Sequence, residues 1–171
     1  MTQLTRAQKY IPDFVYGAID GTITTFAVVA GVIGADLSIG VILILGISNV
    51  LADGWSMASS NYLASRAEAA TLGVGEAGTP IYSAMITFLS FVVVGMIPIL
   101  PFLCALFIPW FFDHAWVLSI IGTGLAFILI GSARGTVTGE NKFRASLETL
   151  AVGALAALIA YGVGSLLSGI A

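Results

Sequence analysis

Long apolar runs restrict the fold of this chain more than any other feature of its sequence. Of its 171 residues, 58% are hydrophobic and only 9% are charged, and the mean hydropathy is +1.05. A chain of this composition is solvated by lipid rather than by water. One helical crossing of a bilayer needs about 20 apolar residues, so the chain has room for five crossings with short connections. The sequence therefore predicts an all-α integral membrane bundle.

Five predicted spans make up a single membrane domain over residues 1–171. They cover residues 14–35, 37–64, 81–107, 116–133 and 146–167. Basic residues accumulate on the cytoplasmic side of membrane proteins, and five alternating spans put every basic residue of this chain on one side. These residues are Arg6, Lys9, Arg66, Arg134, Lys142 and Arg144. The sequence therefore predicts a cytoplasmic N-terminus and a C-terminus on the opposite side.

Glycine and proline residues mark the predicted breaks between spans. Several of them fall within residues 71–80, which predicts a short loop between the second and third spans. Pro98, Pro101 and Pro109 lack a backbone N–H, so the third span should be kinked or end near them. Asp113 and its histidine neighbour are expected in the turn before the fourth span.

Two aspartates, Asp20 and Asp53, lie deep inside the first and second apolar runs. A carboxylate at the centre of a bilayer costs roughly 2.5 to 3.5 kcal/mol, so each requires a partner, a water-filled cavity or a cation. Arg134 is the one basic residue expected near them. Intramembrane carboxylates can also exchange a proton for a metal ion. Asp20 and Asp53 are therefore candidate metal ligands and candidate proton-coupling residues, with pairing to a donor or a basic residue as the alternative.

A polar stripe in the second span extends the candidate site. Asn49, Asp53, Met57 and Asn61 recur at every fourth residue and so share one helix face. Carboxylate and amide oxygens with a thioether form a mixed hard and soft ligand set, which suits Fe(II) or Mn(II) better than Mg(II) or Ca(II). Met57 could instead fill a gap in the packing, and Asn49 and Asn61 could instead form hydrogen bonds between helices. The predicted metal ligands are Asp20, Asp53, Met57 and Asn49.

Small residues predict two sites of close helix packing. Gly17 and Gly21 form a GxxxG motif around Asp20, and a second stripe consists of Ala156, Ala160, Gly164 and Ser168. Either stripe could pack helices within one subunit or between subunits. For the first span we favour a subunit interface, since a twofold axis would double every ligand and bring two copies of Asp20 together. The sequence therefore predicts a homodimer.

Glu148, near the start of the fifth span, is a secondary candidate for the site. A position near a helix N-terminus favours a capping or dipole role over proton relay. Asp36, in the turn between the first two spans, is expected to be solvated.

Several protein classes are excluded. The chain has no GxxxxGK[ST] motif for ATP, its single histidine has no clustered partner that would allow haem binding, and its lone Cys104 has no CxxC or histidine neighbour for a metal site. We predict that the chain is not an enzyme, needs no cofactor and binds no nucleic acid. Three classes remain: a coupled exporter of divalent metal, a transporter or channel for another small solute, and a membrane assembly protein without transport. The aspartate pair favours the first.

Four ordered blocks of sequence resemble the vacuolar iron transporter (VIT) family. The blocks are Asp20-Gly-Thr-Ile-Thr-Thr-Phe-Ala-Val-Val-Ala-Gly, Leu51-Ala-Asp-Gly-Trp-Ser-Met-Ala followed by Asn61-Tyr-Leu, Ile97-Pro-Ile-Leu-Pro-Phe, and Ser146-Leu-Glu-Thr-Leu-Ala-Val-Gly. The resemblance implies a five-span dimer whose first-span helices line a central pathway. It also implies export of Fe(II) or Mn(II) from the cytosol by proton antiport.

Only some of the family's metal site transfers to this chain. Asp20 matches the first-span aspartate and Met57 the second-span methionine that the family uses as ligands. Asn49 stands where the plant-type members have a glutamate, and we expect Asp53, one turn further on, to replace that carboxylate. The connection between the second and third spans is too short for the family's cytosolic metal-binding domain. The chain therefore resembles a short form, and we expect it in a prokaryotic plasma membrane with lipid, metal ions, protons and a second copy of itself as partners.

Overall fold

The computed structural model describes residues 10–72 and 80–170, and all regular structure in these two segments is helical. This confirms the predicted all-α fold class. The helices are α1 (Ile11–Gly34), α2 (Ile39–Leu72), α3 (Pro80–Gly95), α4 (Leu100–Ala105), α5 (Pro109–Thr138) and α6 (Lys142–Leu167), and a 3₁₀ turn (Ser168–Ile170) follows α6. Most of the loop predicted over residues 71–80 lies outside the described residues.

Four helices are long and apolar enough to cross a membrane, namely α1, α2, α5 and α6 with its following turn. The third predicted span, over residues 81–107, consists of two helices, because α3 ends at Gly95 and α4 begins only at Leu100. The prolines explain the break: Pro98 cannot donate a backbone hydrogen bond. Its carbonyl accepts a hydrogen bond of 2.7 Å from the Ser119 hydroxyl of α5 instead of one from the next turn. The predicted effect of these prolines is thereby confirmed.

The boundaries of the fourth and fifth spans also differ from the prediction. Helix α5 starts at Pro109, where a missing N–H costs nothing because the first helical N–H has no partner in the helix. Asp113 and its histidine neighbour therefore lie inside α5 and not in a turn. At the other end, Gly139 adopts the left-handed conformation with φ of 73°, and the Asn141 side chain accepts hydrogen bonds from the first N–H groups of α6. The polar segment between the two spans is thus mostly helical.

Helix α1 is the central element of the bundle. It makes its most extensive contacts with α3 and α6, and it also packs on α2 and α5. Near its start, Val15 lies in one buried cluster with Ile130 from the end of α5. Near its end, Phe26 stacks on Trp116 from the start of α5, with ring centroids 6.0 Å apart. Helices α1 and α5 are therefore antiparallel, and the start of α1 and the end of α5 lie at the same end of the bundle.

The GxxxG motif of α1 packs against α3 of the same chain. A Cβ atom on Gly21 would lie 2.5 Å from the Phe91 carbonyl oxygen, and one on Gly17 would lie 2.5 Å from the Thr87 carbonyl oxygen. A Cβ on Gly95 of α3 would in turn meet the Gly21 carbonyl oxygen at 2.9 Å. Our preference for a subunit interface at this motif is wrong, because the backbone of α3 already occupies the space in front of both glycines.

The second small-residue stripe also packs within the chain. A Cβ on Gly164 of α6 would meet the Gly31 carbonyl oxygen of α1, and one on Gly34 would meet the backbone of Tyr161. Ala160 contributes its carbonyl oxygen next to Gly31. Of the two alternatives for this stripe, packing within one subunit is the one found.

We predict that Gly21→Ala destabilises the protein by about 1 to 3 kcal/mol, the usual range for overpacking a tight contact. The added methyl group would meet backbone rather than a movable side chain, so α1 and α3 would have to separate. Thermal unfolding in detergent, followed by tryptophan fluorescence, measures the effect.

Gly162→Ala is the matched control, since a Cβ at Gly162 of α6 would meet nothing within 4 Å. Removing a helical glycine in open space should leave the melting temperature unchanged or raise it slightly. Equal melting temperatures for the two variants would contradict the packing of α1 on α3.

Candidate functional site

The structure brings Asp20 of α1 and Asp53 of α2 together. Both residues are half-buried, and their carboxylates lie close enough to repel each other electrostatically. Across residues 10–72 and 80–170, neither side chain forms a hydrogen bond or an ion pair. Two neighbouring carboxylates without a donor or a basic partner form an open negative site between two apolar helices.

The predicted stripe on α2 lies at the edge of this chain's core. Its members Asn49, Asp53, Met57 and Asn61 are all half-buried. The residues that follow the first three, namely Val50, Gly54 and Ala58, are buried, whereas the residues that precede them, namely Ser48, Ala52 and Ser56, are exposed. The stripe therefore separates the face of α2 that packs inside the bundle from the face that the bundle leaves uncovered.

A partly exposed edge of α1 carries the other half of the site. Tyr16 is exposed, and Asp20, Thr24 and Ala27 are half-buried. These positions follow one another at the spacing of a single helix face. The Thr24 hydroxyl donates to the Asp20 backbone carbonyl at 2.9 Å and not to its carboxylate. The Asp20 side chain thus lies, half-buried, on a partly exposed edge of the described bundle.

The Asn49 side chain has an unsatisfied polar atom. Its Nδ2 is buried and has no hydrogen-bond partner among the described residues. The two ends of a side-chain amide can exchange by a half rotation, which would present the oxygen at the same place. Asn49 therefore has an amide group free to bind a ligand, and no contact between helices accounts for this group.

Asn61 has the interhelical role that was the alternative for this residue. Its Nδ2 donates to Asp13 Oδ1 of α1 at 3.1 Å and to Thr87 Oγ1 of α3 at 2.7 Å. Its Oδ1 accepts hydrogen bonds from Ser65 at 3.3 Å and from Ser83 at 3.4 Å. These bonds join the start of α1, the end of α2 and the start of α3 at one end of the bundle.

Asp13 did not appear among the predicted site residues, although the sequence contained a signal for it. It lies seven residues before Asp20, two helical turns away on the same face. The position looked like the edge of the membrane, where a carboxylate is ordinary. Its hydrogen bond to Asn61 depends on the packing of α1 on α2, which no local pattern predicts.

Glu148 lies in an ion-pair cluster and does not cap a helix. Its carboxylate accepts hydrogen bonds from Arg134 at 2.6 Å and from Arg144 at 3.0 Å. The capping prediction for Glu148 is wrong, since Asn141 caps α6 and the first turn of α6 contains no acidic residue. Arg134 also lies 3.7 Å from Glu140, so the one cation expected near the intramembrane aspartates binds other carboxylates.

One chain does not complete a cluster of acidic, histidine and cysteine ligands. Within the part of the chain that the structure describes, no group of three or more such residues lies close enough to hold a metal ion. Asp20 and Asp53 supply two carboxylates, and Met57 and Asn49 lie on the same stripe of α2. Further ligands would have to come from outside these residues.

Comparison with known proteins identifies relatives over almost the whole chain. Residues 11–74 and 71–165 match the model of the VIT family. The chain is 28% identical to vacuolar iron transporter 1 of Tulipa gesneriana, with 92% of this chain and 87% of the relative covered. It is 26% identical to vacuolar iron transporter 1 of Arabidopsis thaliana, with 91% and 85% covered. It is 25% identical to the vacuolar iron transporter of Toxoplasma gondii, with 94% and 75% covered.

The match is interrupted where α2 ends. The two segments that match the family meet at residues 71–74, and the alignment with the Tulipa gesneriana protein runs over 218 residues, more than the 171 of this chain. That relative therefore contains residues without a counterpart here. The interruption coincides with the connection that the sequence indicates is too short for a cytosolic domain. The two segments together include nearly all of α1 to α6, and the chain belongs to the VIT family.

Proposed function

We propose that this protein exports Fe(II) or Mn(II) from the cytosol in exchange for protons, along a pathway that contains Asp20 and Asp53. The observation that carries the proposal is the pair of neighbouring carboxylates with no donor and no basic partner in the described residues. Each carboxylate costs roughly 2.5 to 3.5 kcal/mol at the centre of a bilayer. A divalent cation that passes between them would offset this cost, and protons would do so when the cation has left.

The side chains around the aspartates favour a transition metal as cargo. The Met57 thioether and the free amide of Asn49 lie on the same stripe as Asp53. Mixed oxygen and sulfur ligands suit Fe(II) or Mn(II) better than Mg(II) or Ca(II). Iron is also the metal in the names of the relatives. Together these observations support Fe(II) as cargo, with Mn(II) as the second metal.

Outward movement of a divalent cation requires an energy source. Against an inside-negative potential of 100 mV it costs roughly 4.6 kcal/mol, twice the value for one charge. A passive pore would let the metal flow inward. Asp20 and Asp53 can couple the two fluxes because a carboxylate binds either a proton or a metal ion, and one ligand leaves when the other arrives.

We propose five membrane crossings with the N-terminus in the cytosol. Helix α3 has 16 residues, about 24 Å at 1.5 Å per residue, which is short of the roughly 30 Å hydrocarbon core. The break after Gly95 and helix α4 supply the remainder, so α3 and α4 together count as one crossing. The start of α1, the later part of α2 and the end of α5 lie towards one end of the bundle, and this is the end towards which Arg66, Arg134, Lys142 and Arg144 lie in the chain.

A twofold dimer would complete the site. The edge of α1 with Tyr16, Asp20, Thr24 and Ala27 is only partly covered by the described helices. A second copy packed on this edge would place another Asp20 near the first and would bury the polar stripe of α2. At about 100° per residue, the proposed interface lies roughly a quarter turn around α1 from the glycines of its GxxxG motif.

We further propose that the protein lies in a prokaryotic plasma membrane and captures metal directly at the pathway mouth. The family match is interrupted at residues 71–74, where a cytosolic metal-binding domain would have to be inserted. Without such a domain, the first metal contact must be made by residues at the ends of α1 and α2.

The first test is Asp20→Asn in reconstituted vesicles. We expect at least about a hundredfold loss of Fe(II) or Mn(II) flux and of the opposing proton flux, because an amide neither neutralises the cation nor carries the proton. Metal uptake and vesicle pH are measured together with fluorescent indicators. Membrane insertion and dimer formation, checked by chemical cross-linking, should be unchanged.

Asp36→Asn is the matched control for this test. Asp36 is exposed and has a positive φ of 57°, a conformation that asparagine adopts readily. The control should transport at the wild-type rate. Undiminished transport by Asp20→Asn would overturn the site, and movement of a different solute by the wild type would favour another class of transporter.

The second test concerns the thioether. We expect Met57→Leu to raise the KM for Fe(II) by about threefold to tenfold while competition by Ca(II) is unchanged or improved, because only the soft ligand is lost and the volume is kept. Met85→Leu is the control, since Met85 is exposed on α3. The assay measures Fe(II) flux against Mn(II), Zn(II) and Ca(II) as competitors. Equal behaviour of the two variants would assign Met57 to packing.

The third test separates Glu148 from the pathway. Its carboxylate is held by Arg134 and Arg144, so we expect Glu148→Gln to keep the transport rate within about twofold, as is usual when an exposed ion pair is removed. Initial rates of metal and proton flux provide the measurement. A loss as large as that of Asp20→Asn would place Glu148 in proton coupling instead.

A further inference from the structure

The end of the bundle with the basic residues contains a polar cluster that the proposed transport site does not use. We call it the mouth network, and it consists of Asp13, Asn61, Ser83 and Thr87; Ser65, outside the network, donates to Asn61 from within the same helix. The network joins α1, α2 and α3 through the side-chain amide of Asn61, whose nitrogen and oxygen both form hydrogen bonds. Thr87 is fully buried, so the network reaches from the bundle interior to the first turn of α1.

The network lies directly before the aspartate pair along the proposed pathway. Asn61 follows Met57 by one helical turn, about 6 Å along the axis, and Asp13 precedes Asp20 by about 10 Å at 1.5 Å per residue. The step from Met57 to Asn61 and the step from Asp20 to Asp13 lead towards the same end of the bundle, because α1 begins at that end and α2 runs towards it. A cation that approaches Asp20 from that end meets Asp13 first.

The donor and the acceptor of each hydrogen bond in the network can be assigned, starting from the Thr87 hydroxyl. The Thr87 hydroxyl donates to the Ser83 carbonyl oxygen at 3.0 Å, so towards Asn61 it can only accept. Asn61 Nδ2 must therefore be the donor to Thr87, and the same nitrogen donates to Asp13 Oδ1. The two serine hydroxyls are available as donors to Asn61 Oδ1. The amide of Asn61 has its nitrogen fixed towards Asp13.

This arrangement holds Asp13 without neutralising it. An amide N–H is an uncharged donor, so it adds no positive charge beside Asp13, and among the residues described the Asp13 side chain forms no ion pair. Its other oxygen, Oδ2, remains available to a ligand. The first turn of α1 also adds a favourable field for an anion through the unpaired N–H groups at the helix start.

We propose that Asp13 is the first carboxylate to bind a hydrated divalent cation from the cytosol, and that Asn61 is the residue that positions it. Asn61 acts through Asp13 and does not itself have to bind metal, since both ends of its amide are engaged. The inference rests on the proposed direction of transport. Because the connection between α2 and α3 is too short for a metal-binding domain, the metal ion has to be captured at the pathway mouth, and Asp13 would capture it there. Thr87 holds the Asn61 side chain in place by accepting a hydrogen bond from its amide nitrogen.

The variants are Asp13→Asn, Asn61→Ala and the double variant, with Ser65→Ala as control. Ser65 contacts Asn61 only from its own helix, so its loss leaves the bonds to Asp13 and Thr87 in place. We expect Asp13→Asn to raise the KM for Mn(II) supplied on the mouth side by about tenfold with kcat within about twofold, the pattern for a lost binding contact. Asn61→Ala should raise KM by a smaller factor, and Ser65→Ala should not.

The double variant separates positioning from a merely structural role. If Asn61 acts through Asp13, the double variant should have the KM of Asp13→Asn alone, whereas independent structural effects would add and would lower kcat and the melting temperature. Thr87→Ser should behave as wild type, because it keeps the hydroxyl. An unchanged KM in Asp13→Asn, or additive effects in the double variant, would overturn the proposal.

A binding measurement keeps this inference distinct from the proposed function. Mn(II) binding to the detergent-solubilised protein is followed by electron paramagnetic resonance in an Asp20→Asn background. If wild-type vesicles move no divalent metal, the transport proposal fails, but about tenfold weaker Mn(II) binding with Asp13→Asn and unchanged binding with Ser65→Ala would still support the mouth site. Equal binding by all variants would overturn it.

Discussion

Close approach of α1 to α3 and α6 is the constraint on which the rest of the bundle depends. Glycines permit it: Gly21 faces the backbone of Phe91 and Gly95 on one side, and Gly31 faces Gly164 on the other. Gly31 lies three helical turns after Asp20 on the same face of α1, so α6 packs on the later part of that face, whereas Asp20 on the earlier part stays half-buried. The same packing sets the distance at which α2 lies beside α1, and so brings Asp53 to Asp20. The charged site is thus a consequence of where small residues allow helices to touch.

The acidic residues of the chain fall into two electrostatic situations that indicate different roles. Glu148 binds two guanidinium groups outside the apolar core, an arrangement that is satisfied and stable without any ligand. The side chains of Asp20 and Asp53 form no hydrogen bond or ion pair among the described residues, and two like charges in an apolar setting are unfavourable unless something positive joins them. The contrast is informative because both kinds of carboxylate were conceivable pathway residues. Unsatisfied charge, and not the presence of a carboxylate, distinguishes the site.

The sequence alone predicted the helical class, four of the apolar helices and the shared face of Asn49, Asp53, Met57 and Asn61, since these follow from hydropathy and helical period. It could not predict what faces Gly17 and Gly21, because a GxxxG motif packs equally well on a helix of the same chain or of another. The bond between Asn61 and Asp13 joins residues 48 positions apart and has no local signature. Pro98 did predict a break in the helix. The Ser119 hydroxyl that donates to its carbonyl oxygen comes from a different helix and could not be predicted.

The position of Asp53 relative to Asn49 changes how a cation would be passed along. By the family resemblance, plant-type members have a carboxylate at the place of Asn49, whereas here the carboxylate lies one turn further on, about 6 Å closer to Met57 along the axis. A carboxylate of α2 then lies within electrostatic range of Asp20. A cation leaving the mouth network would meet both carboxylates in a single step and bind more tightly there. In the transport cycle that we propose, its release would depend on protons reaching Asp20 and Asp53, because a carboxylate binds either a proton or a metal ion.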